Sequence, residues 1–276
     1  MAGINYNRIE RLKESFKREV ENIHKEKSVE IDFLNNKVED LSRKVLILEE
    51  LKHDIGRLAM ESLSFSEDLN NLISRGETKE RIENAALTIH HSLTMVSPRI
   101  VYSDMELANG QVGNGAKFNA VVYKKFDKAR KILKSKCYKK KVDLQFNGNS
   151  TFTIRAMNSF DIVPFLILDN AIKYSPKDNE INVYFDSLDG SQSKLDVVIT
   201  SIGPFVDSKD LIRLTDRGFR CDNTLIKKTE GQGLGLYIVK NICAYHGVSI
   251  RFNSEYTCDI SNIKYGVFTV TLSFEI

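Results

Sequence analysis

No apolar run in the 276-residue sequence approaches the roughly 18 to 20 residues that a membrane-spanning helix needs, so no helical span is expected. The amino terminus lacks a basic segment followed by an apolar core, which argues against a secretory leader. There are only four cysteines (Cys137, Cys221, Cys243, Cys258), far apart and without CxxC spacing. That excludes a zinc knuckle or disulfide framework and leaves reduced thiols as the expectation. Charge of one sign is scarce too: 40 Lys and Arg against 37 Asp and Glu give +3. Bulk electrostatics therefore calls for neither nucleic acid nor a membrane surface. The one basic cluster, Lys139-Lys140-Lys141, reads as the solvated start of a strand. Together these absences predict a soluble, cytoplasmic protein.

From about Tyr6 to Ile73 there is no proline and a single glycine, Gly56, among many Glu, Lys, Arg and Leu, a composition that favours long helix. Within it Ile31, Leu34, Val38, Leu41, Val45 and Leu48 recur at alternating gaps of three and four. Such a heptad seam needs a partner, either a second copy in a parallel coiled coil or a helix folded back from the same chain. The register slips between Leu48 and Ile55, and the stripe resumes through Leu58, Ser62, Phe65, Leu69 and Leu72. Ser74 to Glu77 marks a break, with Thr78 as N-cap of a second helix running to about Val96, before Pro98. Two such αα-hairpins would pack as a four-helix bundle. The glycine-rich and asparagine-rich run from Asn109 to Gly115 separates the bundle from an alternation of strands and helices that predicts a two-layer α/β sandwich with a mixed sheet. The fold class is α+β. Its expected divisions are 1–50 coiled-coil helix, 51–108 helical hairpin for dimerisation, 109–117 linker and 118–276 α/β domain.

Two strings carry the chemistry. In Leu168-Asp169-Asn170-Ala171-Ile172-Lys173-Tyr174, small and polar residues interrupt an apolar helix that Pro176 ends. Asn170 offers a neutral oxygen suited to Mg²⁺, and Lys173, three residues on and so on the same helical face, can meet phosphate charge. Gly231-Gln232-Gly233-Leu234-Gly235-Leu236 precedes an apolar-periodic helix, so its glycines would let backbone N–H groups approach phosphate at a helix amino terminus. It lacks the Lys-Ser/Thr of a P-loop, and the polar residues before it, Asn223 to Glu230, are no Rossmann strand.

The order of these segments resembles the catalytic domain of sensor histidine kinases, within the GHKL ATPase superfamily, over about Phe118 to Ile276. The Asn170 string looks like its N-box, Ser201-Ile202-Gly203-Pro204 like its G1 box and the Gly231 string like its G2 box. Leu214 to Arg220 resembles the F-box that opens a lid over ATP. The resemblance implies a GHKL/Bergerat fold that binds ATP and Mg²⁺. Asn170 would hold the metal, Lys173 and Tyr174 would approach the phosphates, and Gly231, Gln232, Gly233, Leu234, Gly235 and Leu236 would wrap them. Ser201 and Gly203 would stand at the adenine end, and the lid, Phe205 to Glu230, would bring Arg217, Arg220, Lys227 or Lys228 to the γ-phosphate. Three residues depart from the family pattern: Ser201 replaces an Asp that receives the adenine amino group, Leu166 replaces a polar Asn or Glu, and Phe205 replaces the second glycine of G1.

A kinase of this kind needs an accepting histidine on the first helix of the hairpin. At roughly 100° per residue, His53 points about 200° away from the apolar stripe and should face solvent. Asp54 after it resembles the acid that takes the imidazole proton as the other nitrogen attacks. His90 and His91 fit the surface of the second helix, His24 lies in the weak part of the coil, and His246 ends the last helix, where a cation suits the carbonyl end. The expected function is a dimeric histidine kinase that autophosphorylates His53 and passes the phosphoryl group to a response regulator. The alternative is a nucleotide-dependent switch or pseudokinase acting through protein contacts.

Overall fold

The computed structural model describes residues 2–108, 116–186, 193–222 and 233–275. They fall into two compact units, Met1–Glu50 and Leu51–Ile276. Helix α1 (Ala2–Ser74) supplies the first unit and begins the second. In the first unit the heptad residues Ile31, Leu34, Val38, Leu41, Val45 and Leu48 are each 49% to 60% exposed, so the seam read from the sequence is uncovered in a single chain. Lys44 reaches back to Asp40 one turn away at 2.5 Å, the i,i+4 pairing that supports a lone helix by a few tenths of a kcal/mol.

In the second unit, α1 ends at a turn where Gly76 takes φ +64. Helix α2 (Lys79–Thr94) then starts on Thr78, whose hydroxyl accepts the Arg81 N–H at 3.4 Å. The chain does not leave helical geometry at Pro98. Met95 keeps right-handed helical angles (φ −65, ψ −15), and a third helix, α3 (Val96–Leu107), follows. Pro98 is its third residue, in the first turn, where a missing N–H costs no intrahelical bond.

The α/β part holds a short antiparallel ribbon of β1 (Phe118–Val121) and β3 (Thr153–Ala156). The main sheet comprises β2 (Val142–Asn147), β4 (Asn179–Asp186), β5 (Lys194–Pro204), β6 (Ser249–Ile260) and β7 (Ile263–Glu275), in the spatial order β2-β4-β5-β7-β6. Only β2 and β4 run parallel; the other three pairs are antiparallel, so the sheet is mixed. Helices α4 (Val122–Lys140), α5 (Ile162–Tyr174) and α7 (Gly235–Tyr245) bury their apolar sides with one face of the sheet in a single core. A short helix, α6 (Ser208–Leu211), follows β5. The architecture is the α+β class with a two-layer sandwich.

Strand β5 shows the logic of the sheet. Its burial alternates with the strand period of two, placing Leu195, Val197, Ile199 and Ser201 on the core face. Among the core aromatics, Phe126 and Phe160 are fully buried, each stabilising the fold by about 1.5 to 3 kcal/mol. Helix α5 is buried from Ile162 through Asp169, which is why its sequence reads as an almost continuous apolar run. Among the described residues, no helix is long and apolar enough to cross a membrane.

Candidate functional site

Six segments converge on one pocket: the start of α3, the last turns of α5, the end of β5, the chain after α6, the amino terminus of α7 and the middle of β7. Ten of the residues singled out from the sequence line it, namely Asn170, Lys173 and Tyr174 from α5, Ser201 and Gly203 from β5, Arg220, and Gly233, Leu234, Gly235 and Leu236 before and within α7. Gly231, Gln232, Lys227, Lys228 and the lid portion 223–230 lie outside the described residues.

Local backbone explains the glycines. Gly233 sits at φ +72, and a Cβ there would lie 2.7 Å from the Phe219 carbonyl oxygen and 2.8 Å from the Gly218 carbonyl carbon. Backbone cannot rotate away as a side chain can, so only glycine lets this loop close on the lid segment. Gly235 opens α7, where a Cβ would meet the Asn170 amide nitrogen at 3.6 Å. Asn170 thus abuts the amino terminus of α7. Leu234, the N-cap residue, gives no side-chain cap, so the first N–H groups of this helix have no side-chain acceptor from that position. Unpaired N–H groups and the positive end of the helix dipole favour an anion there.

The pocket is mostly apolar between these polar groups, with Ile167, Ile199, Val206, Phe268 and Val270 in its wall. Ser201 places one hydroxyl at the end of the buried β5 row, 7% exposed. Lys173 Nζ lies 5.3 Å from the centroid of the Tyr174 ring. Burial pushes the Tyr174 phenol up, with Arg220 opposing. The donor set fits a nucleotide with Mg²⁺: Asn170, Lys173, Ser201 and Arg220 stand among apolar wall residues, and the carboxylate of Asp169, also in the lining, is already engaged by His91 and Lys136. Among the described residues no cluster of three or more His, Cys, Asp or Glu could hold a metal alone. Asn170 matches a metal that keeps waters and bridges phosphates.

Next to Asn170, Asp169 also lines the pocket, and its carboxylate is engaged from α4 and α2. It accepts from Lys136 of α4 and lies 3.3 Å from His91 Nε2 of α2. Burial works to raise this carboxyl, but His91 and Lys136 outweigh it and hold it down at about 2. His91, read from sequence as helix surface, is thus an anchor between the hairpin and α5. His246 differs from its reading as well. Its Nε2 accepts the Met157 N–H at 3.0 Å, so Nδ1 carries the proton toward the Ile242 carbonyl at 2.7 Å, and the ring is the neutral tautomer. Burial, its largest influence, lowers its affinity for a second proton.

Arg217 does not line the pocket. Its Nε donates to the Tyr102 hydroxyl at 2.9 Å, and its guanidinium meets Glu106 at 3.0 Å, both on α3. Tyr237 of α7 donates to the same Glu106 at 3.5 Å.

His53 is 81% exposed, on the first hairpin helix. Asp54 is only 14% exposed: Oδ1 lies 4.0 Å from His53 Nδ1, and Oδ2 takes Arg99 Nε at 3.2 Å. Sequence reasoning missed Arg99, Met95 and Pro98, which add a wall of the pocket from the hairpin. Their signal was hidden because Pro98 was read as the end of the helix.

A family model, "Histidine kinase-, DNA gyrase B-, and HSP90-like ATPase", matches residues 165–275. The chain is 40% identical over 85 residues to "Phosphate regulon sensor protein PhoR" of Pseudomonas aeruginosa, covering 31% of this chain and 18% of that one. It is 33% identical over 112 residues to "Probable sensor kinase SilS" of Salmonella typhimurium, covering 41% and 22%. The matches therefore span about a fifth of these relatives. Among solved structures it is similar to "Mycobacterial sensor histidine kinase MprB", with a TM-score of 0.45 and 20% identity, covering 58% of this chain and 98% of that one.

Proposed function

We propose, from the match of residues 165–275 to the histidine kinase-, DNA gyrase B- and HSP90-like ATPase family model, that the chain is an ATP-dependent protein-histidine kinase. It autophosphorylates His53 and passes the phosphoryl group to an aspartate of a response regulator. One observation carries this reading: ten residues nominated by separate sequence strings line a single pocket. Lys173, Arg220 and the N–H groups at the start of α7 bind and orient the phosphates, and the apolar slot ending at Ser201 takes the base. Mg²⁺, when bound, neutralises phosphate charge beside Asn170. His53 Nε2 attacks the γ-phosphorus, the bond to the β,γ-bridging oxygen breaks, and ADP leaves. The Nδ1 proton passes to Asp54.

The exposed heptad seam supports a homodimer through a parallel coiled coil, since a row of half-exposed Leu, Ile and Val is stabilised by a second helix. The absence of a membrane-crossing helix among the described residues is in keeping with a cytoplasmic module. Leu166 favours the second reading, a nucleotide-dependent switch without histidine phosphorylation. It lines the pocket one turn before Asn170, where a polar side chain would assist metal or water, and supplies only methyl groups.

Incubation with γ-labelled ATP and Mg²⁺ separates the two. Wild type should gain acid-labile, base-stable label, His53→Gln should gain none while still binding ATP, and Asn170→Ala should lose binding. Label persisting in His53→Gln removes the acceptor assignment. ATP binding without label in wild type selects the switch.

A further inference from the structure

Arg99 occupies a place that neither the phosphoacceptor pair nor the nucleotide strings account for. It stands on α3, 17% exposed, with Nε 3.2 Å from Asp54 Oδ2. The same residue lines the pocket formed by Asn170, Lys173 and the Gly233 to Leu236 segment. One side chain therefore touches the acid beside His53 and the wall of the nucleotide pocket of the same chain. The division of labour at Asp54 follows from its two oxygens: Oδ2 is taken by Arg99, while Oδ1 faces His53 Nδ1 at 4.0 Å. A carboxylate with both oxygens unconstrained rotates about its last bond and presents either oxygen, or neither, to the imidazole. One held by a planar guanidinium keeps a fixed face toward it. The 4.0 Å gap exceeds a hydrogen bond, so a small side-chain adjustment of the exposed His53 closes it.

We infer that Arg99 is a positioning residue for phosphoryl transfer: it fixes the Asp54 carboxylate so that Oδ1 receives the Nδ1 proton of His53 while Nε2 attacks the γ-phosphorus. In that step the Nε2–P bond forms, the bond from phosphorus to the β,γ-bridging oxygen breaks with its electrons going to ADP, and the imidazole proton goes to Asp54. Arg99 touches neither the proton nor the phosphorus. It acts through Asp54, and the inference rests on His53 being the acceptor.

The test is a double-mutant cycle on the full-length chain. It compares wild type, Arg99→Gln, Asp54→Asn, the double variant and Arg99→Lys, with His53→Gln alongside. Single-turnover label incorporation is followed at saturating γ-labelled ATP, and ATP affinity is measured separately by calorimetry. A general base contributes about 10²- to 10⁴-fold, and mis-setting it forfeits part of that. Arg99→Gln should slow incorporation at saturating ATP about 10- to 100-fold, with a smaller loss of ATP affinity, and should slow it no further in the Asp54→Asn background. Arg99→Lys, which keeps charge but not the planar fork, should recover part of the rate. It also reports on the site if Arg99→Gln does not fold. Equal slowing by Arg99→Gln in both backgrounds, or an affinity loss matching the rate loss, overturns the positioning role. A wild-type rate in Arg99→Gln, with label absent from His53→Gln, overturns it while leaving the acceptor in place. Label retained in His53→Gln overturns both.

Discussion

Replacing Asp169 by Asn keeps the shape of the side chain and removes its charge, so it isolates what the anion contributes where α5 meets the hairpin. In the folded chain the carboxyl is held at about 2, against about 3.9 for an unperturbed aspartate. At 1.36 kcal/mol per pH unit, a gap of nearly two makes the ionised form worth about 2 to 3 kcal/mol of stability at neutral pH. The folded carboxyl titrates below the unfolded one, so this contribution is whole above about pH 4 and is lost as the pH falls toward 2. By the linkage relation about half of it survives at pH 3. Removing one partner of a buried pair commonly costs more, about 3 to 5 kcal/mol. Lys136 keeps 30% of its side chain exposed and can turn to water, which favours the lower figure. Urea unfolding of the full-length chain, followed by circular dichroism, measures the difference between wild type and Asp169→Asn. It should be about 2 to 3 kcal/mol at pH 7 and about half that at pH 3. A difference below about 0.5 kcal/mol at pH 7, or one equal at both pH values, refutes the reasoning.

Two further outcomes follow from geometry. Gly233→Ala puts a Cβ 2.7 Å from a backbone oxygen at φ +72, so calorimetry should show at least about tenfold weaker ATP binding and melting a loss of about 1 to 3 kcal/mol. Gly235→Ala, whose Cβ meets only side-chain atoms at 3.6 Å and beyond, should lose less. Three thiols are buried and pushed up, Cys137 and Cys221 to about 11 and Cys243 to about 12, while Cys258 is exposed. A thiol-exchange reagent at pH 8 should show one fast equivalent per chain, abolished in Cys258→Ser, and a fast phase of two or more contradicts this burial.

What could be read from the sequence was what local chemistry encodes. Helix α5 runs from Ile162 to Tyr174 as its apolar run and Pro176 require, and the helix expected after the glycine string and ending at His246 is Gly235–Tyr245. Strand β5 belongs to the alternation of strands and helices expected after Gly115. The third hairpin helix was not legible, because a proline in a first turn and a proline after a last turn look alike until the preceding residue's angles are known. Strand β1 is four residues long and is defined by pairing with β3 over 30 residues away, which no period of its own reveals. Partners of charged residues were the least legible. Arg217 was assigned to phosphate by its place in the lid, yet it pairs with Glu106, over 100 residues earlier. Asp169 was only a letter beside Asn170 until His91 and Lys136 stood against it.

The adjacency of Asp169 and Asn170 has an energetic consequence. Neighbours on a helix point about 100° apart, so Asp169 reaches His91 of the hairpin while Asn170 abuts the start of α7, although both line the pocket. Any motion that carries α5 away from α2 must part His91 from Asp169. If it also parts Lys136, the carboxyl returns to the titration of an ordinary aspartate. At 1.4 kcal/mol per factor of ten, the roughly 2 to 3 kcal/mol held there biases the docked arrangement by about 30- to 140-fold over one lacking both contacts. Lys136 belongs to α4, which packs in the same core as α5 and travels with it, so only the His91 share of that bias opposes separation from the hairpin. The docked arrangement is therefore favoured by this pair but not locked by it. On the proposed reading, in which the nucleotide domain approaches and leaves an acceptor on the hairpin, a preference of this limited size is what turnover requires, since a full buried ion pair broken in every cycle would slow it.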